Sequence, residues 1–202
     1  MATSHPIDEE TKRELTALYR DENRHYHGLA HIEALLALAV ECRSKLSDPE
    51  AVEAAIWFHD AIYDSRAKDN EARSAELARQ LLAHRLQPAR MARVAAMILA
   101  TAMHEVPVFA NIDAVRDAAL FLDMDLSILG ASPEVFDAYE AAIRREYAWV
   151  PEDAWIAGRS AVLRTFLDRP YIYHSEEFRV RLEHRARANI ERSLASLKGK
   201  DT

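Results

Sequence analysis

The sequence predicts an all-α protein, and three observations support that class. Only 4 of its 202 residues are glycine, and alternating runs of β-branched residues, which are typical of strands, are almost absent. Apolar residues instead recur every three or four positions, which is the spacing of helices with one buried face. Because no fixed-period repeat or low-complexity linker interrupts this spacing, we expect a single-domain bundle of about eight or nine helices.

Prolines, glycines and capping side chains divide the chain into its helices. A proline that follows a capping residue, as in Ser47-Asp48-Pro49 and Ser132-Pro133, predicts a helix start. Asn70 is expected to cap another helix, and Gly130 is expected to end one as its C-cap. Pro88 separates two predicted helices, of which the second continues up to His104. The other predicted helices cover residues 28–46, 113–129, 152–168 and 176–197, or begin at residues 49, 70 and 133.

Length and composition predict one soluble domain. A chain of 202 residues suits one sizeable core, so we treat 1–202 as one domain, with the candidate site within about 25–130 and the helices of 132–198 packed on it. No apolar stretch reaches the roughly 20 residues of a bilayer span, and the N-terminus lacks a secretion segment, so we expect a cytoplasmic protein without membrane contact. The net charge of -7 argues against binding of long nucleic acids. The single cysteine, Cys42, is expected to be a small buried apolar residue.

Ionisable residues intrude on the apolar stripes of three predicted helices. His31, His59 and Asp125 lie at stripe positions, where a buried ionisable group is costly unless it is paired, hydrogen-bonded or bound to metal. Asp60 follows His59 directly, so both could reach one ion only near a helix end. Any one of these histidines alone is more often a hydrogen-bonded core residue. Together, two imidazoles and two carboxylates suit iron, manganese, cobalt, zinc or magnesium, with positions left for water and substrate.

Three segments carry these residues in order: HYHGLAHI, WFHDAIYD and LFLDMDLSILG. A histidine, a later His-Asp pair and a distal aspartate resemble the signature of the HD superfamily of metal-dependent phosphohydrolases. The chain looks most similar to a bacterial branch of predicted HD phosphohydrolases, along nearly its whole length. The similar segments include NEARSA, ILATAMH, IRREY and AGRSAVLRTFLDRPYIY. The resemblance implies an HD-type helical bundle with His31, His59, Asp60 and Asp125 as the metal ligands.

Asp123 is an alternative for the distal ligand. It lies two residues from Asp125 and would point to a different face of a helix, so both cannot easily serve one ion. We prefer Asp125, because it lies on the apolar stripe and precedes Leu126 and Leu129 as the HD pattern implies.

The resemblance also implies a reaction, the hydrolysis of a small phosphate ester by water activated at one or two divalent ions. A nucleotide is one such ester. The lysine-bearing HDxGK form of signalling HD domains is absent, because His59-Asp60 is followed by Ala61-Ile62-Tyr63, so no specific nucleotide is indicated. Among macromolecular partners, a second copy of the chain in a homodimer is left open.

Further polar residues are candidates for binding substrate or moving protons. His27 lies one helical turn before His31 and His104 ends a predicted helix. Each could bind phosphate, hold a water or join a second metal site, and each equally fits a surface or capping histidine. Asp64 and Glu71 could act as general acid or base or position the attacking water, although Glu71 equally fits the first turn of a helix.

Four arginines could clamp a phosphate through paired N–H donors. They are Arg24, Arg144, Arg145 and Arg159. We take Arg24 and Arg144, together with His27, as the substrate-binding candidates, while a structural salt bridge is the commoner role of such residues.

Two other functions fit the same residues. One is an HD-fold regulatory module that binds a nucleotide or metal without catalysis, and the other is an HD-type di-iron oxygenase that uses His27 or His104 at a second iron. A ferritin-like di-iron bundle needs paired Glu-x-x-His motifs, of which the chain has only Glu22-Asn23-Arg24-His25. The sequence also lacks HExxH, P-loop and dinucleotide-binding motifs.

Overall fold

The computed structural model describes residues 6–199, and this part of the chain consists of helices, turns and loops. It holds nine α-helices, two short 3-10 helices and no strand, which confirms the predicted all-α class. The α-helices are α1 (Glu9–Leu18), α2 (Leu29–Glu41), α3 (Pro49–Phe58), α4 (Asn70–Leu82), α5 (Pro88–Ala100), α6 (Ile112–Asp125), α7 (Pro133–Glu146), α8 (Glu152–Leu167) and α9 (Glu176–Lys198). Residues 1–5 and 200–202 of the predicted 1–202 domain lie outside the described residues.

The chain divides into two compact units, one that ends at Asp125 and one that begins at Leu126. Helices α1 to α6 form the first unit, and α7 to α9 with the 3-10 helix Leu126–Gly130 form the second. All four expected metal ligands belong to the first unit. One domain over the whole chain, with 132–198 packed on the first part, stays a prediction. No helix among the described residues has the length and apolarity needed to cross a bilayer.

The helix starts predicted from prolines are confirmed. Helices α3, α5 and α7 begin at Pro49, Pro88 and Pro133. Asp48 caps α3, because its side chain accepts a hydrogen bond from the Ala51 N–H at 3.1 Å. A proline suits the first turn of a helix because its missing N–H would have no partner there.

Three helices end earlier than predicted. Helix α2 ends at Glu41 rather than at residue 46, and the 3-10 helix Arg43–Lys45 follows it. Helix α5 ends at Ala100 rather than at His104, because the chain tightens into turns after Thr101, where its N–H binds the Ile98 carbonyl at 3.2 Å. Helix α6 ends at Asp125 rather than at residue 129. The 3-10 helix Leu126–Gly130 follows it directly, with three residues per turn and therefore a different spacing of side chains.

Gly130 does not form the expected C-cap. None of the described glycines has a positive φ, whereas a glycine C-cap is typically left-handed. A Cβ at Gly130 would lie 2.6 Å from the Cβ of Leu182 and 2.9 Å from the hydroxyl oxygen of Tyr173. Glycine is therefore required here by close packing within the second unit.

Helix α3 is the most buried helix of the first unit. Seven of its ten residues are buried, and it contacts α1, α2, α4, α5 and α6. Apart from Glu50 and Glu53 its sequence is apolar, as expected for a helix surrounded by others. Residues that directly follow α3 therefore emerge in the interior of the unit. Cys42, at the end of α2, is 1% exposed, which confirms the expected burial of its side chain.

Two aspartates fix the start of α3 against α5 and α6. Asp117 of α6 is buried and accepts hydrogen bonds from the backbone N–H groups of Ser47 and Asp48 at 2.8 and 2.9 Å. Arg90 of α5 donates through Nε to Asp48 Oδ2 at 2.8 Å. These bonds set the position of α3 and so of the residues at its far end.

The Asp48 carboxylate makes stability depend on pH. Burial alone would raise its pKa, but hydrogen bonds from Arg90 and the Ala51 N–H hold it below the ordinary value of 3.8. The pKa of Asp48 is lower in the folded chain than in the unfolded chain, so its ionised carboxylate stabilises the fold. This stabilisation is complete when the pH lies above the unfolded-state pKa, and it is lost as the pH falls through the folded-state pKa. At about pH 6 we expect the free energy of unfolding of wild type to be larger than that of Asp48→Asn. The difference between the two proteins should become smaller as the pH falls to about 3.

Urea unfolding at several pH values measures that gap. Asparagine also caps helices well, so the substitution removes the charge and keeps the cap. A gap of the same size at both ends of the pH range would contradict the assigned role of the Asp48 charge.

Candidate metal centre

The ends of three helices bring two histidines and an aspartate together. His31 lies in the first turn of α2, His59 is the C-cap of α3, and Asp125 is the last residue of α6. The Nε2 atoms of the two histidines are 3.3 Å apart. Oδ1 of Asp125 lies 3.1 Å from Nε2 of His31 and 3.6 Å from Nε2 of His59. The three side chains are 4%, 1% and 12% exposed, so the cluster is largely shielded from solvent.

These separations fit ligands of one metal ion. Donor atoms about 2.1 Å from an ion lie about 3.0 Å apart in an octahedron and about 3.4 Å apart in a tetrahedron. The three measured distances run from 3.1 to 3.6 Å. The ligand atoms of these three side chains all lie within 4.8 Å of each other.

The His59 ring is oriented as in a metal-binding imidazole. Its Nδ1 lies 2.9 Å from the Ile56 carbonyl oxygen. A carbonyl can only accept a hydrogen bond, so Nδ1 is the donor and the neutral ring presents the lone pair of Nε2 to the cluster. Phe121 packs edge-on against the ring, with the ring centres 5.9 Å apart. Backbone and packing together therefore fix the direction of the lone pair.

The buried carboxylates of the cluster favour a bound cation. Burial alone would lower the pKa of His59, but the carboxylates of Asp60 and Asp125 raise it well above its ordinary value. Burial alone would raise the pKa of Asp125, but hydrogen bonds to His104 and His31 hold it well below its usual range. The buried carboxylates thus stabilise positive charge, which a proton or a metal ion can supply.

Asp60 lies beside the group of three. Its Oδ2 is 3.0 Å from Nε2 of His59 and 3.9 Å from Nε2 of His31. Helix α3 ends at Phe58, so His59 and Asp60 leave the helix together and their side chains can approach one point. Burial alone would raise the pKa of Asp60, but positive charge on His59 and His27 lowers it below its ordinary value.

Between the two candidate distal aspartates, the structure brings Asp125 to the histidines. Asp123 is fully buried on α6 but does not belong to the group of close ligand atoms. The helical rotation of about 100° per residue sends two positions that differ by two to nearly opposite faces.

His104 and His27 border the centre in different ways. Nε2 of His104 lies 2.9 Å from Oδ2 of Asp125, the oxygen that is not shared with His31. The His27 ring stacks on Tyr63 with centres 4.3 Å apart, and its centre is 6.3 Å from that of His31. Tyr63 could not be recognised from the sequence as a neighbour of the site, because it stacks on a residue 36 positions away.

Arg24 holds the backbone that follows the His-Asp pair. It donates to the carbonyl oxygens of Asp60 at 2.6 Å and Ala61 at 2.9 Å, and to that of His27 at 3.2 Å. The structure thus gives three of its five N–H donors to main-chain carbonyls. This use is structural, and a phosphate-binding role for Arg24 stays a prediction.

Asp64 and Glu71 have different surroundings. Asp64 is exposed, and its carboxylate accepts the backbone N–H of Arg66 at 2.9 Å, which closes a turn. Asn70 binds the backbone of Asp64 through its side chain, so it does not cap α4 as expected; Asp69 holds the N-cap position. Glu71 is partly exposed in the first turn of α4, and its carboxylate has no hydrogen bond or ion pair with another residue of 6–199.

Two of the remaining arginine candidates, Arg144 and Arg159, have partners within the second unit, whereas Arg145 is exposed. Arg144 donates to the carbonyl oxygens of Tyr147 and Val150, at 2.7 and 3.2 Å, and so covers the end of α7. Arg159 is buried and donates through Nε to Glu140 at 3.1 Å. The guanidinium group of Arg144, which we expected to bind substrate, therefore binds carbonyl oxygens at and after the end of its own helix.

Comparison with family models, with curated proteins and with solved structures gave no match. Fold and site together define an all-helical protein with a candidate metal centre of two histidines and a carboxylate.

Proposed function

We propose that this chain is an HD-type metal-dependent phosphohydrolase that acts on a small phosphate ester. The observation that carries the proposal is the approach of two Nε2 atoms and one carboxylate oxygen, from three helices, to within 3.1 to 3.6 Å. The order of His31, His59-Asp60 and Asp125 along the chain supports the HD assignment. A mixed nitrogen and oxygen donor set suits iron, manganese, cobalt, zinc or magnesium, as one or two ions.

The chain's own residues then have distinct roles. When bound, a divalent ion supplies Lewis acidity and lowers the pKa of a coordinated water. His31, His59 and Asp125 would hold the ion, and three protein ligands are typical of catalytic sites, which keep a position open. Asp60 Oδ2 lies 3.0 Å from Nε2 of His59 and 3.9 Å from Nε2 of His31, so it can serve as a further ligand or orient the coordinated water.

Glu71 is the better of the two expected acid–base candidates. Ser74, one turn further along α4, binds the backbone N–H of Ile62 at 3.0 Å. Positions three apart share a helix face, so Glu71 lies on the side of α4 that faces the turn after Asp60. The Asp64 carboxylate, in contrast, already closes its own turn. We therefore assign protonation of the leaving oxygen to Glu71.

The test is metal-dependent hydrolysis by the full chain. The purified protein would be stripped with a chelator, reloaded with Mn²⁺, Co²⁺, Zn²⁺, Mg²⁺ or Fe²⁺, and assayed with p-nitrophenyl phosphate and nucleoside monophosphates. We expect phosphate release from the reloaded wild type, and a loss of at least about 100-fold in His59→Ala and Asp60→Ala. Asp113→Ala, which alters an exposed ion pair with Arg116, should retain the activity.

Failure to release phosphate with every ion would contradict the phosphohydrolase proposal. If ligands such as nucleotides still raised the melting temperature, a regulatory binding module would be favoured.

One observation favours an oxygenase as the second candidate. Two histidines and one carboxylate are also the donor set of non-haem iron oxygenases, and the group of close ligand atoms has this composition. Dioxygen consumption by the iron-loaded chain, without phosphate release, would support this function in place of hydrolysis.

A further inference from the structure

We propose that His104 is a positioning residue, which holds the Asp125 carboxylate so that one oxygen faces the metal position. This inference rests on the proposed metal centre and adds a residue that acts through a ligand. The two oxygens of Asp125 have separate neighbours. Oδ1 lies 3.1 Å from His31 Nε2, while Oδ2 lies 2.9 Å from His104 Nε2.

The backbone at His104 is unusual. Among residues 6–199 it is the one non-glycine residue with a positive φ, of 50°. Its N–H binds the Ala100 carbonyl at 2.7 Å, which forms a left-handed cap after α5. Glycine or asparagine normally fills such a position, because a Cβ is disfavoured in left-handed backbone.

A histidine in left-handed backbone, where glycine is favoured, indicates that the side chain has a function that offsets the backbone cost. A glycine would form the same turn without steric conflict. We therefore assign the function of the His104 side chain to its contact with Asp125. The two side chains are only 19% and 12% exposed, so solvent competes little with their hydrogen bond.

His104 acts through Asp125 rather than as a further ligand in the group. His31, His59 and Asp125 form a group of mutually close ligand atoms that does not include His104. His104 comes from the turn after α5 and meets the carboxylate at its other oxygen. A hydrogen bond at that oxygen restricts rotation of the carboxylate, as outer partners of metal ligands generally do.

The test is metal affinity of the full chain with and without this side chain. Competition with a chromophoric chelator would give the Kd for Zn²⁺ and Co²⁺ in wild type, His104→Gly and His104→Asn. We expect both variants to bind 10- to 100-fold more weakly, about the effect of losing an outer partner. Glycine and asparagine both tolerate the left-handed turn, so the melting temperature of the metal-free chain should stay the same or rise.

Added imidazole provides a readout that a purely structural role would not move. It can occupy the space of the missing ring in His104→Gly, and we expect it to restore most of the lost affinity and the visible spectrum of bound Co²⁺. His84→Gly is the matched control, because His84 is an exposed histidine just after α4, and its affinity should equal that of wild type.

The outcomes separate this inference from the proposed function. If wild type binds neither ion, the proposed metal centre fails and this inference fails with it. If wild type binds and His104→Gly binds equally tightly, only the positioning role is overturned. A lower melting temperature of the metal-free variants without rescue by imidazole would also overturn it, in favour of a structural role.

Discussion

Asp125→Asn is expected to weaken binding of Zn²⁺ or Mn²⁺ by at least about 100-fold, a larger effect than loss of an outer partner. Asp125 supplies the single carboxylate of the group of three, and its Oδ1 lies within 3.6 Å of both histidine Nε2 atoms. Asparagine has nearly the same volume but lacks the negative charge. The free energy of unfolding of wild type should therefore rise with added metal, by about 2.7 kcal/mol at an ion concentration of 100 times Kd, and that of Asp125→Asn should not.

Asp123→Asn is the matched control for this prediction. Asp123 lies on the same helix and is fully buried, so the substitution can lower stability. Its metal affinity should stay within about 3-fold of wild type, because the residue is not part of the close group. Melting temperatures with and without metal measure both effects. Loss of the metal response in Asp123→Asn with its retention in Asp125→Asn would refute the assignment of the distal ligand.

Arg159→Ala is expected to lower the free energy of unfolding by about 3 to 5 kcal/mol, as is usual when one partner of a buried ion pair is removed. The Arg159 side chain is 8% exposed and that of Glu140 is 16% exposed. Arg159 also donates to the hydroxyl oxygen of Tyr139 at 2.8 Å. The variant would leave the Glu140 carboxylate with Ser193 as its hydrogen-bond donor, which does not balance its charge.

An exposed ion pair and a double variant serve as controls for the expected loss of stability in Arg159→Ala. Arg116→Ala removes an ion pair whose side chains are 57% and 50% exposed, and should cost at most about 1 kcal/mol. Adding Glu140→Leu to Arg159→Ala removes the uncompensated charge and should recover part of the loss. Urea unfolding measures all three. A loss below about 1 kcal/mol in Arg159→Ala would contradict a structural role and reopen its use as a phosphate ligand.

The helical class and most helix starts could be predicted from the sequence, because they depend on local chemistry. Asp48 and Pro49 determine the start of α3 through a cap and a fixed φ. Helix α1 was not predicted, since only Thr11 and Leu15 of its ten residues are buried, which is too little to produce a clear apolar stripe. The need for glycine at position 130 could not be predicted, because the side chains that require it, Tyr173 and Leu182, lie more than 40 residues away in sequence.

The candidate ligands could be selected from the sequence, but their partners could not. His31, His59 and Asp125 are visible as polar residues on apolar stripes. The contact of Arg24 with the Asp60 carbonyl joins residues 36 apart, and that of His104 with Asp125 joins residues 21 apart. Such contacts depend on how the helices pack, and the left-handed backbone at His104 arises only where α5 ends early.

X-ray absorption spectroscopy of the Zn²⁺-loaded full chain tests the central claim most directly. The account predicts nitrogen and oxygen ligands alone, at about 2.0 to 2.2 Å, with scattering from two imidazole rings. A single imidazole, a sulfur ligand at about 2.3 Å, or no bound zinc would contradict it.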